Sequence, residues 1–254
     1  MQYTPKYGIC RLAVTLVLLG FCPAIAADAE SKWSYSGKTG PEHWGELSAE
    51  FEMCTDGKNQ SPIDLTAAVD TEQPELVFRY QGTPLREINN GHTIMLPVET
   101  GSYLEIPDWG KRYQLVQAHF HSPSEHTIDG EHFAMEIHLV HQGEDGGLAV
   151  VGILMNEGEE NTMLHDVWAF MPDQVGAETQ APVRVFNAGV LRPTRNYFSY
   201  NGSLTTPPCS EGIRWMVLQE HTTASAEQIA RFQQRVGTIT NRPVQPVNAR
   251  NILY

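Results

Sequence analysis

Two histidines separated by a single residue constrain the folding of this chain more than any other feature. They are His119 and His121, in the segment AHFHSPSEHTIDG, which runs from residue 118 to residue 130. Residues i and i+2 of a β-strand point to the same face, so a strand here would project both imidazoles together. The pair alone fits a metal site and two surface histidines on a sheet equally well. The decision depends on whether other segments supply further ligands.

The residues around this pair belong to a series of short apolar segments. These segments are rich in Val, Ile, Leu, Phe and Tyr, and Gly, Asn and Asp separate them, as is typical of β-strands. They are LVFRY (76–80), HTIMLPV (92–98), YQLVQAHFH (113–121), FAMEIHLVH (133–141), LAVVGILM (148–155) and IRWMVLQE (213–220). The sequence therefore predicts a single, mainly β domain.

Helical periodicity is confined to two apolar stripes. The stripes consist of Leu164, Val167, Trp168 and Met171, and of Ile229, Phe232 and Val236. A Ser225-x-x-Gln228 capping box precedes the second stripe, so a helix is expected to begin there. We expect a few short helices at the periphery of the sheet.

The segment EIHLVH supplies a third histidine, His138. An antiparallel hairpin that links His121 to Phe133 would place His138 beside the first pair. Three imidazoles with an open fourth position are typical of a catalytic zinc site. The three-histidine interpretation therefore predicts a zinc enzyme.

Each of the two strands also carries a polar residue two positions before its histidine. Gln117 precedes His119, and Glu136 precedes His138, in each case on the same face. Histidines that bind a metal usually donate their other ring N–H to such a group, which fixes the tautomer. A carboxylate buried without a partner would be costly. We therefore expect Gln117 and Glu136 to orient the ligands.

A cupin metal site is the alternative interpretation of the same histidines. The first cupin motif also reads H-x-H followed by a glutamate, which here would be Glu125. That motif continues to a glycine, where this chain has His132, and the second cupin motif has no good match downstream. The two interpretations differ in the metal ligand, which is Glu125 in a cupin and His138 in the three-histidine site.

Seven motifs of the chain resemble those of the α-class carbonic anhydrases, in the family's order. They are GPEHWGEL (40–47), NQSPIDL (59–65), NNGH (89–92), SEHTIDG (124–130), EIHLVH (136–141), GSLTTPPCSEGIRW (202–215) and NRPVQP (241–246). The short Ser122-Pro123-Ser124 connection is similar to that of bacterial members. The resemblance implies a large, twisted, mostly antiparallel sheet with zinc at the base of a conical cavity. It also implies the reversible hydration of carbon dioxide to bicarbonate and a proton.

The resemblance makes His119, His121 and His138 the ligands of Zn²⁺. Thr205 resembles the family's gatekeeper threonine, and Glu125 resembles its carboxylate partner. An ionised carboxylate only accepts hydrogen bonds, so Thr205 would donate its proton to Glu125. The threonine oxygen would then accept from a zinc-bound hydroxide and orient it.

Other residues are implied to hold the substrate and to move the proton. The implied substrate contacts are Thr205, Thr206, Val140, Val150, Leu204 and Trp215. His92 resembles the proton shuttle, a role that suits a side chain with an unperturbed pKa near 6.5. Tyr35 and Asn90 resemble the groups that order the intervening water. Met95 departs from the family, which usually has an amide there, and this departure bears on how that water is ordered.

The N-terminus predicts export. Lys6 and Arg11 precede an apolar run at residues 12–21, and Ala24-Ile25-Ala26 forms an A-x-A cleavage site. The run is too short to span a bilayer. We expect a secretory signal peptide at 1–26, a carbonic anhydrase domain at 27–254 and a periplasmic location.

Cleavage would remove two of the four cysteines and leave Cys54 and Cys209. An even pair in an exported protein predicts one disulfide bond, and exported bacterial members have a matching one. We expect this bond to hold the loop beside Thr205 and Thr206.

The mature chain would be strongly acidic. It would carry 15 basic and 30 acidic residues, for a net charge of −15. Nucleic acid and anionic lipid would repel such a chain, so a small-molecule substrate is expected, here carbon dioxide or bicarbonate. A homodimer is possible, as in related bacterial members. The alternative function is a catalytically weak, carbonic-anhydrase-like binding protein, although such proteins have often lost a zinc ligand that this chain keeps.

Overall fold

The computed structural model describes Met1 and residues 33–191, 196–236 and 239–254. Apart from Met1, the predicted signal peptide lies outside the described residues. The described part contains thirteen strands and four α-helices, with short 3₁₀ turns between them. The strands are β1 (Val77–Arg79), β2 (Thr83–Asn89), β3 (Ile94–Pro97), β4 (Tyr103–Ile106), β5 (Lys111–His121), β6 (Thr127–Ile128), β7 (Glu131–His132), β8 (Met135–Gly143), β9 (Leu148–Glu157), β10 (Glu178–Phe186), β11 (Tyr197–Ser203), β12 (Glu211–Leu218) and β13 (Thr222–Ala224). The helices are α1 (Trp44–Leu47), α2 (Met53–Asp56), α3 (Thr162–Trp168) and α4 (Ala226–Val236).

Eleven of these strands form one large sheet, which confirms the predicted fold class. The main order is β10-β2-β3-β5-β8-β9-β12-β11, and β1, β4 and β13 attach beside it. Neighbouring strands are antiparallel, except that β12 and β13 run parallel to β9. All six predicted strand segments are strands of this sheet. The small β6–β7 hairpin lies in the connection from β5 to β8.

The centre of the sheet is covered on both faces. Strand β8 is buried at every position from Met135 to His141, and β9 is buried from Ala149 to Met155. This burial explains the nearly continuous apolar sequence of β9, because no face of a central strand needs polar side chains. In β8 the buried positions also include Glu136, His138 and His141. The larger apolar cluster includes Phe120, Trp168 and Phe232. A smaller cluster contains Val140, Val150 and Trp215.

Strand β2 was not predicted, because a buried carboxyl interrupts its hydropathy pattern. Burial alternates along Thr83–Asn89, as in a half-buried strand. One of the buried positions is Glu87, where an apolar residue would have given the expected alternation. Strands β4, β10 and β11 were also not predicted.

The two longer helices match the predicted apolar stripes. The backbone N–H of Gln228 donates to Ser225 Oγ at 3.3 Å, and Gln228 Oε1 accepts from the backbone of Ser225 at 3.1 Å. This confirms the capping box at the start of α4. Helices α3 and α4 pack through Trp168 and Phe232, whose rings stack at 5.5 Å. Met171 of the first stripe is buried beyond the end of α3.

Cys54, in α2, is bonded to Cys209, which confirms the predicted disulfide. Within the ranges described, no helix combines the length and the apolar character that a membrane crossing needs.

Candidate metal centre

The pairing of β5 with β8 brings the three predicted histidines together. His119 lies directly opposite His138 in the antiparallel register. The centroids of the three rings are 4.6 to 5.0 Å apart. One nitrogen from each of His119, His121 and His138 lies within 4.8 Å of the others. Strand β3 places Met95 opposite His119 on the other side of β5.

Two of the rings are oriented by the residues that were predicted to do so. His119 Nδ1 lies 2.8 Å from Gln117 Oε1, and His138 Nε2 lies 2.9 Å from Glu136 Oε1. These contacts leave His119 Nε2 and His138 Nδ1 facing each other at 3.2 Å. Each acceptor lies two residues before its histidine, so the strand period alone positions them.

The third ring is oriented by a backbone group that the sequence did not reveal. His121 Nδ1 lies 2.5 Å from the carbonyl oxygen of Thr240. His121 Nε2 is buried and has no hydrogen-bond partner among the described residues. Such an orphaned buried nitrogen is costly unless a ligand satisfies it. It is directed at the space that the other two nitrogens face.

This donor set fits a zinc ion. Burial lowers the pKa of His119 well below its ordinary value, and burial also lowers the pKa of His138. Burial lowers the pKa of His121 to about 4. The rings are therefore neutral near pH 7, which is the form that binds a metal. Three neutral imidazoles without a neighbouring thiolate suit a catalytic zinc site.

Glu125 lies beside the three histidines and contacts Thr205. Its Oε1 accepts the backbone N–H of Arg242 at 2.9 Å, and the carboxyl group hydrogen-bonds to the side chain of Thr205. Its Oε2 is buried and lies 3.5 Å from His121 Nε2. Burial raises the pKa of Glu125 to about 7, against the lowering effects of His138 and of these hydrogen bonds. The structure thus brings together the predicted Thr205 and Glu125.

Glu136 is part of a wider buried network. Its Oε2 accepts the backbone N–H groups of Glu125 and His126, each at 2.9 Å. Its Oε1 also lies 2.7 Å from His126 Nδ1, and His126 Nε2 lies 2.6 Å from the hydroxyl of Tyr200. Burial raises the pKa of Glu136, but His126 and His138 outweigh it and hold that pKa well below its ordinary value. Sequence reasoning missed His126, although it lies within the SEHTIDG motif.

The four predicted apolar residues lie together beside the histidines. Val140, Val150 and Trp215 are buried in the smaller apolar cluster, and Leu204 packs against it. The ring of Trp215 is 4.8 Å from the ring of His138. An apolar surface therefore adjoins the candidate metal centre.

The loop after Leu204 joins this surface to the disulfide. Thr205 is buried and Thr206 is half-buried. The carbonyl oxygen of Thr206 accepts the backbone N–H of Cys209 at 2.9 Å. The predicted position of both threonines beside the disulfide-bonded cysteine is therefore observed.

The predicted shuttle residue packs in an aromatic cluster. His92 is half-buried and stacks on Trp33 with the ring centroids 3.6 Å apart, and Tyr35 lies 6.3 Å from His92. Burial lowers the pKa of His92. Asn90 is exposed, and its Oδ1 accepts the backbone N–H groups of His92 and Thr93, each at 2.9 Å. In this structure Asn90 forms the turn that presents His92.

Comparisons with known proteins agree with this geometry. A family model described as eukaryotic-type carbonic anhydrase matches residues 39–254. A protein named carbonic anhydrase from Pectobacterium carotovorum is 40% identical over 244 residues, which are 96% of this chain and 99% of the relative. The α-carbonic anhydrase of Thermovibrio ammonificans, solved with the inhibitor sulfanilamide, is 44% identical with a TM-score of 0.84. That match covers 88% of this chain and 99% of the solved chain. A hyperthermostable carbonic anhydrase from a hydrothermal vent chimney is 46% identical over 87% of this chain and 99% of its own, with a TM-score of 0.83.

Proposed function

The chain belongs to the eukaryotic-type, or α-class, carbonic anhydrase family, and we propose that its residues His119, His121 and His138 hold a zinc ion. As a member of this family, it catalyses the reversible hydration of carbon dioxide. The observation that supports this most directly is the convergence of three neutral imidazole nitrogens, from the half-buried His119 and the buried His121 and His138. Zinc supplies Lewis acidity that makes a water molecule nucleophilic near neutral pH, a property for which carbonic anhydrases are the standard example. Membership of this family overturns the cupin alternative, in which Glu125 would be a ligand.

We propose that Thr205 orients the nucleophile. Its hydroxyl hydrogen-bonds to Glu125, which also accepts the backbone N–H of Arg242. Above its pKa of about 7, Glu125 is ionised and cannot donate, so the Thr205 proton is directed towards Glu125. The threonine oxygen is then left to accept a hydrogen bond from the O–H of the attacking species. Only a nucleophile that carries a proton fits this arrangement.

Carbon dioxide is proposed to bind against the apolar surface beside the histidines. Val140, Val150, Leu204 and Trp215 form that surface. Because these side chains are apolar, binding an uncharged, apolar substrate against them removes few polar groups of the protein from water, which keeps the cost of binding low. We propose that Thr206, in the adjoining loop, contacts the product anion.

His92 is proposed to carry the released proton to the solvent. It is half-buried, so it has access both to the interior and to the surface. The ring of Tyr35 lies 6.3 Å from that of His92, and burial together with the charge of Glu125 raises the pKa of the Tyr35 hydroxyl. We propose that Tyr35 helps to order water there, and that Asn90 acts through the turn of His92.

We also propose that the protein is exported to the periplasm after cleavage of residues 1–26 and acts there as a homodimer. The disulfide between Cys54 and Cys209 supports an oxidising compartment. Cell fractionation with N-terminal sequencing of the recovered protein tests export and the cleavage position. Light scattering after size-exclusion chromatography tests the dimer.

Stopped-flow hydration of carbon dioxide by the zinc-loaded mature protein, with and without a sulfonamide, tests the proposed function. Fast hydration that the sulfonamide abolishes is the expected result. A protein that binds one zinc ion but does not hydrate carbon dioxide would instead support the alternative of a carbonic-anhydrase-like binding protein.

A further inference from the structure

Arg242 is a buried arginine whose guanidinium group is held by several oxygen atoms. Its side chain is only 1% exposed. Nη1 donates to Gln60 Oε1 at 2.9 Å and to the carbonyl oxygen of Ser61 at 2.8 Å, and Nη2 donates to the carbonyl oxygen of Cys54 at 2.9 Å. The guanidinium also lies over the ring of Trp44 at 5.5 Å. Because burying a cation is costly unless it is well hydrogen-bonded, these contacts fix the position of the residue.

The backbone of the same residue contacts the proposed catalytic machinery. The N–H of Arg242 donates to Glu125 Oε1 at 2.9 Å. Glu125 in turn hydrogen-bonds to Thr205. The position of the Glu125 carboxyl group therefore depends on where the backbone of Arg242 lies, and that depends on the guanidinium contacts.

The disulfide bond connects to the Thr205–Glu125 pair from two sides. On one side, Cys209 follows Thr205 in the same short loop. On the other side, the carbonyl oxygen of Cys54 accepts from Arg242, and the backbone of Arg242 donates to Glu125. The two cysteines are 155 residues apart in sequence, and the disulfide bond joins their segments covalently.

We propose that Arg242 is a positioning residue, which couples the disulfide-bonded segment around Cys54 to the Thr205–Glu125 pair. The inference rests on the proposed role of that pair. Arg242 does not touch the substrate, and it acts by keeping the Glu125 carboxyl group where it can accept the Thr205 proton. The direction of a hydrogen bond is sensitive to small displacements, so loss of this support should misdirect the Thr205 hydroxyl.

Substitution Arg242→Lys tests the proposal while keeping the positive charge. A lysine has one nitrogen and cannot reproduce the planar fork that reaches the oxygens of Gln60, Ser61 and Cys54. We expect the variant to retain its zinc and to lose about tenfold in kcat/KM, as for the loss of one well-placed hydrogen bond.

Inhibition supplies a measurement that a purely structural role would not change. A sulfonamide carries an N–H that Thr205 can accept, whereas thiocyanate carries no proton. The intact pair should favour the sulfonamide, because the Thr205 oxygen is available only as an acceptor. In Arg242→Lys the ratio of the thiocyanate to the sulfonamide inhibition constant should fall, by about tenfold on the same reasoning.

Arg250 offers a matched control. Its guanidinium also donates to three carbonyl oxygens, those of Val247, Asn201 and Pro246, and it lies over the ring of Tyr200 at the same 5.5 Å. Among the described contacts its backbone makes none with Glu125. We expect Arg250→Lys to leave kcat/KM and the inhibition ratio within twofold of the wild type.

The proposed coupling to the disulfide is tested with Cys54→Ser/Cys209→Ser, alone and combined with Arg242→Lys. The cysteine variant should change the inhibition ratio in the same direction as Arg242→Lys. The combined variant should lose less than the product of the two separate effects, because both changes release the same restraint. The cysteine variant alone keeps the test available if Arg242→Lys does not fold.

Several outcomes would overturn the inference. One is an Arg242→Lys variant with a lowered melting temperature but an unchanged inhibition ratio. Another is a folded cysteine variant with a wild-type ratio. A different result would show that the Thr205–Glu125 pair does not orient the nucleophile. In that case Glu125→Gln would match the wild type both in kcat/KM and in the ratio of the thiocyanate to the sulfonamide inhibition constant. Failure of the proposed function itself would appear in the wild type, as absence of hydration.

Discussion

At the scale of single residues, the direction of each ring nitrogen is set by the group that holds the opposite nitrogen. Gln117 and Glu136 hold two of the rings, and the carbonyl of Thr240 holds the third. Orientation of this kind confines each histidine to one tautomer, so that the free nitrogen can bind a metal. Removing any one ligand should therefore have a larger effect on metal binding than on folding.

We expect His138→Ala to abolish stoichiometric zinc binding and carbon dioxide hydration, because two neutral imidazoles hold zinc weakly compared with three. Zinc content by mass spectrometry after dialysis against a weak chelator measures this. The control is His165→Ala, whose side chain is 67% exposed on α3 and hydrogen-bonds to Glu160. Full zinc content in the His138 variant would refute the proposed ligand set.

The environment of His92 leads to a prediction about pH. Burial disfavours the charged imidazolium and so lowers the pKa of His92, and the stacked ring of Trp33 contributes to that burial. Trp33→Ala exposes the imidazole, so the His92 pKa should rise towards its ordinary value. Proton NMR titration of the His92 ring measures the change. The low-pH limb of kcat for hydration should move to higher pH, because the shuttle must be neutral to accept a proton.

Trp109→Ala is the control for this titration, because it removes an exposed aromatic ring that packs against Arg214. It should leave the His92 titration unchanged. A His92 pKa that stays the same or falls in Trp33→Ala would show that stacking on Trp33 is not the source of the lowered value.

Part of this residue-level arrangement could be predicted from the sequence, because it follows from strand geometry. The spacing of His119 and His121 and the position of Gln117 need only a two-residue period. The partners Thr240 and His126 could not be predicted, because they come from other segments that tertiary folding brings in. The Asn90-Gly91 pair is typical of a turn, and the side-chain oxygen of Asn90 forms the turn of His92.

At the scale of elements, strand β9 leaves space for the group that orients His138. Gly152 of β9 lies opposite His138 of β8. A Cβ atom at position 152 would lie 2.9 Å from Glu136 Oε1 and 3.3 Å from a methyl group of Val217. The absence of a side chain at this position therefore allows Glu136 to reach the His138 ring.

We expect Gly152→Ala to weaken zinc binding by about tenfold or more, the usual effect of disturbing a group that orients a ligand. Competition with a chelator of known affinity measures the zinc dissociation constant. Gly147→Ala, in the β8–β9 turn, is the control, because the nearest atom to its Cβ belongs to the exposed end of Asp145. Equal zinc affinities in the two variants would contradict this role of Gly152.

The capping box of α4 gives a prediction about stability alone. Ser225→Ala removes the side-chain acceptor for the Gln228 backbone N–H and should lower the free energy of unfolding by about 1 kcal/mol. Urea denaturation measures this, with zinc content expected to stay at the wild-type level. Gln234→Ala, on the exposed side of the same helix, should change stability by less than about 0.5 kcal/mol. A similar loss in both variants would mean that the cap does not stabilise α4.

Elements with a consistent hydropathy pattern were predicted, and elements that depend on distant partners were not. Strands β8 and β9 are buried at nearly every position because they are central, and their many apolar residues identify them. Strand β10 lies at the edge of the sheet, where burial imposes less of a pattern. The parallel pairing of β12 with β9 is a further feature that no local signal indicates, because it depends on the path of the chain between them.

At the scale of the whole molecule, one covalent bond ties the N-terminal segment of the domain to the loop that carries Thr205. Cys54 and Cys209 pack against each other with Trp44, apart from the two larger apolar clusters. The number of cysteines and the export signal were enough to predict the pairing, because only two cysteines remain after the expected cleavage. Its position between Arg242 and the Thr205 loop could be seen only in the folded chain.

We expect reduction of this bond to affect both stability and catalysis. It closes a loop of 155 residues, so in the chain-entropy model its removal should cost on the order of 5 kcal/mol, and engineered bonds often give less. Denaturation of the wild type with and without reductant measures the loss, and Cys54→Ser/Cys209→Ser serves as the control, since reductant should not change its stability. Hydration measured well below the melting temperature should also fall, because both Thr205 and Glu125 lose a restraint. Unchanged hydration with a lowered melting temperature would limit the bond to a role in stability, and would also argue against the coupling through Arg242.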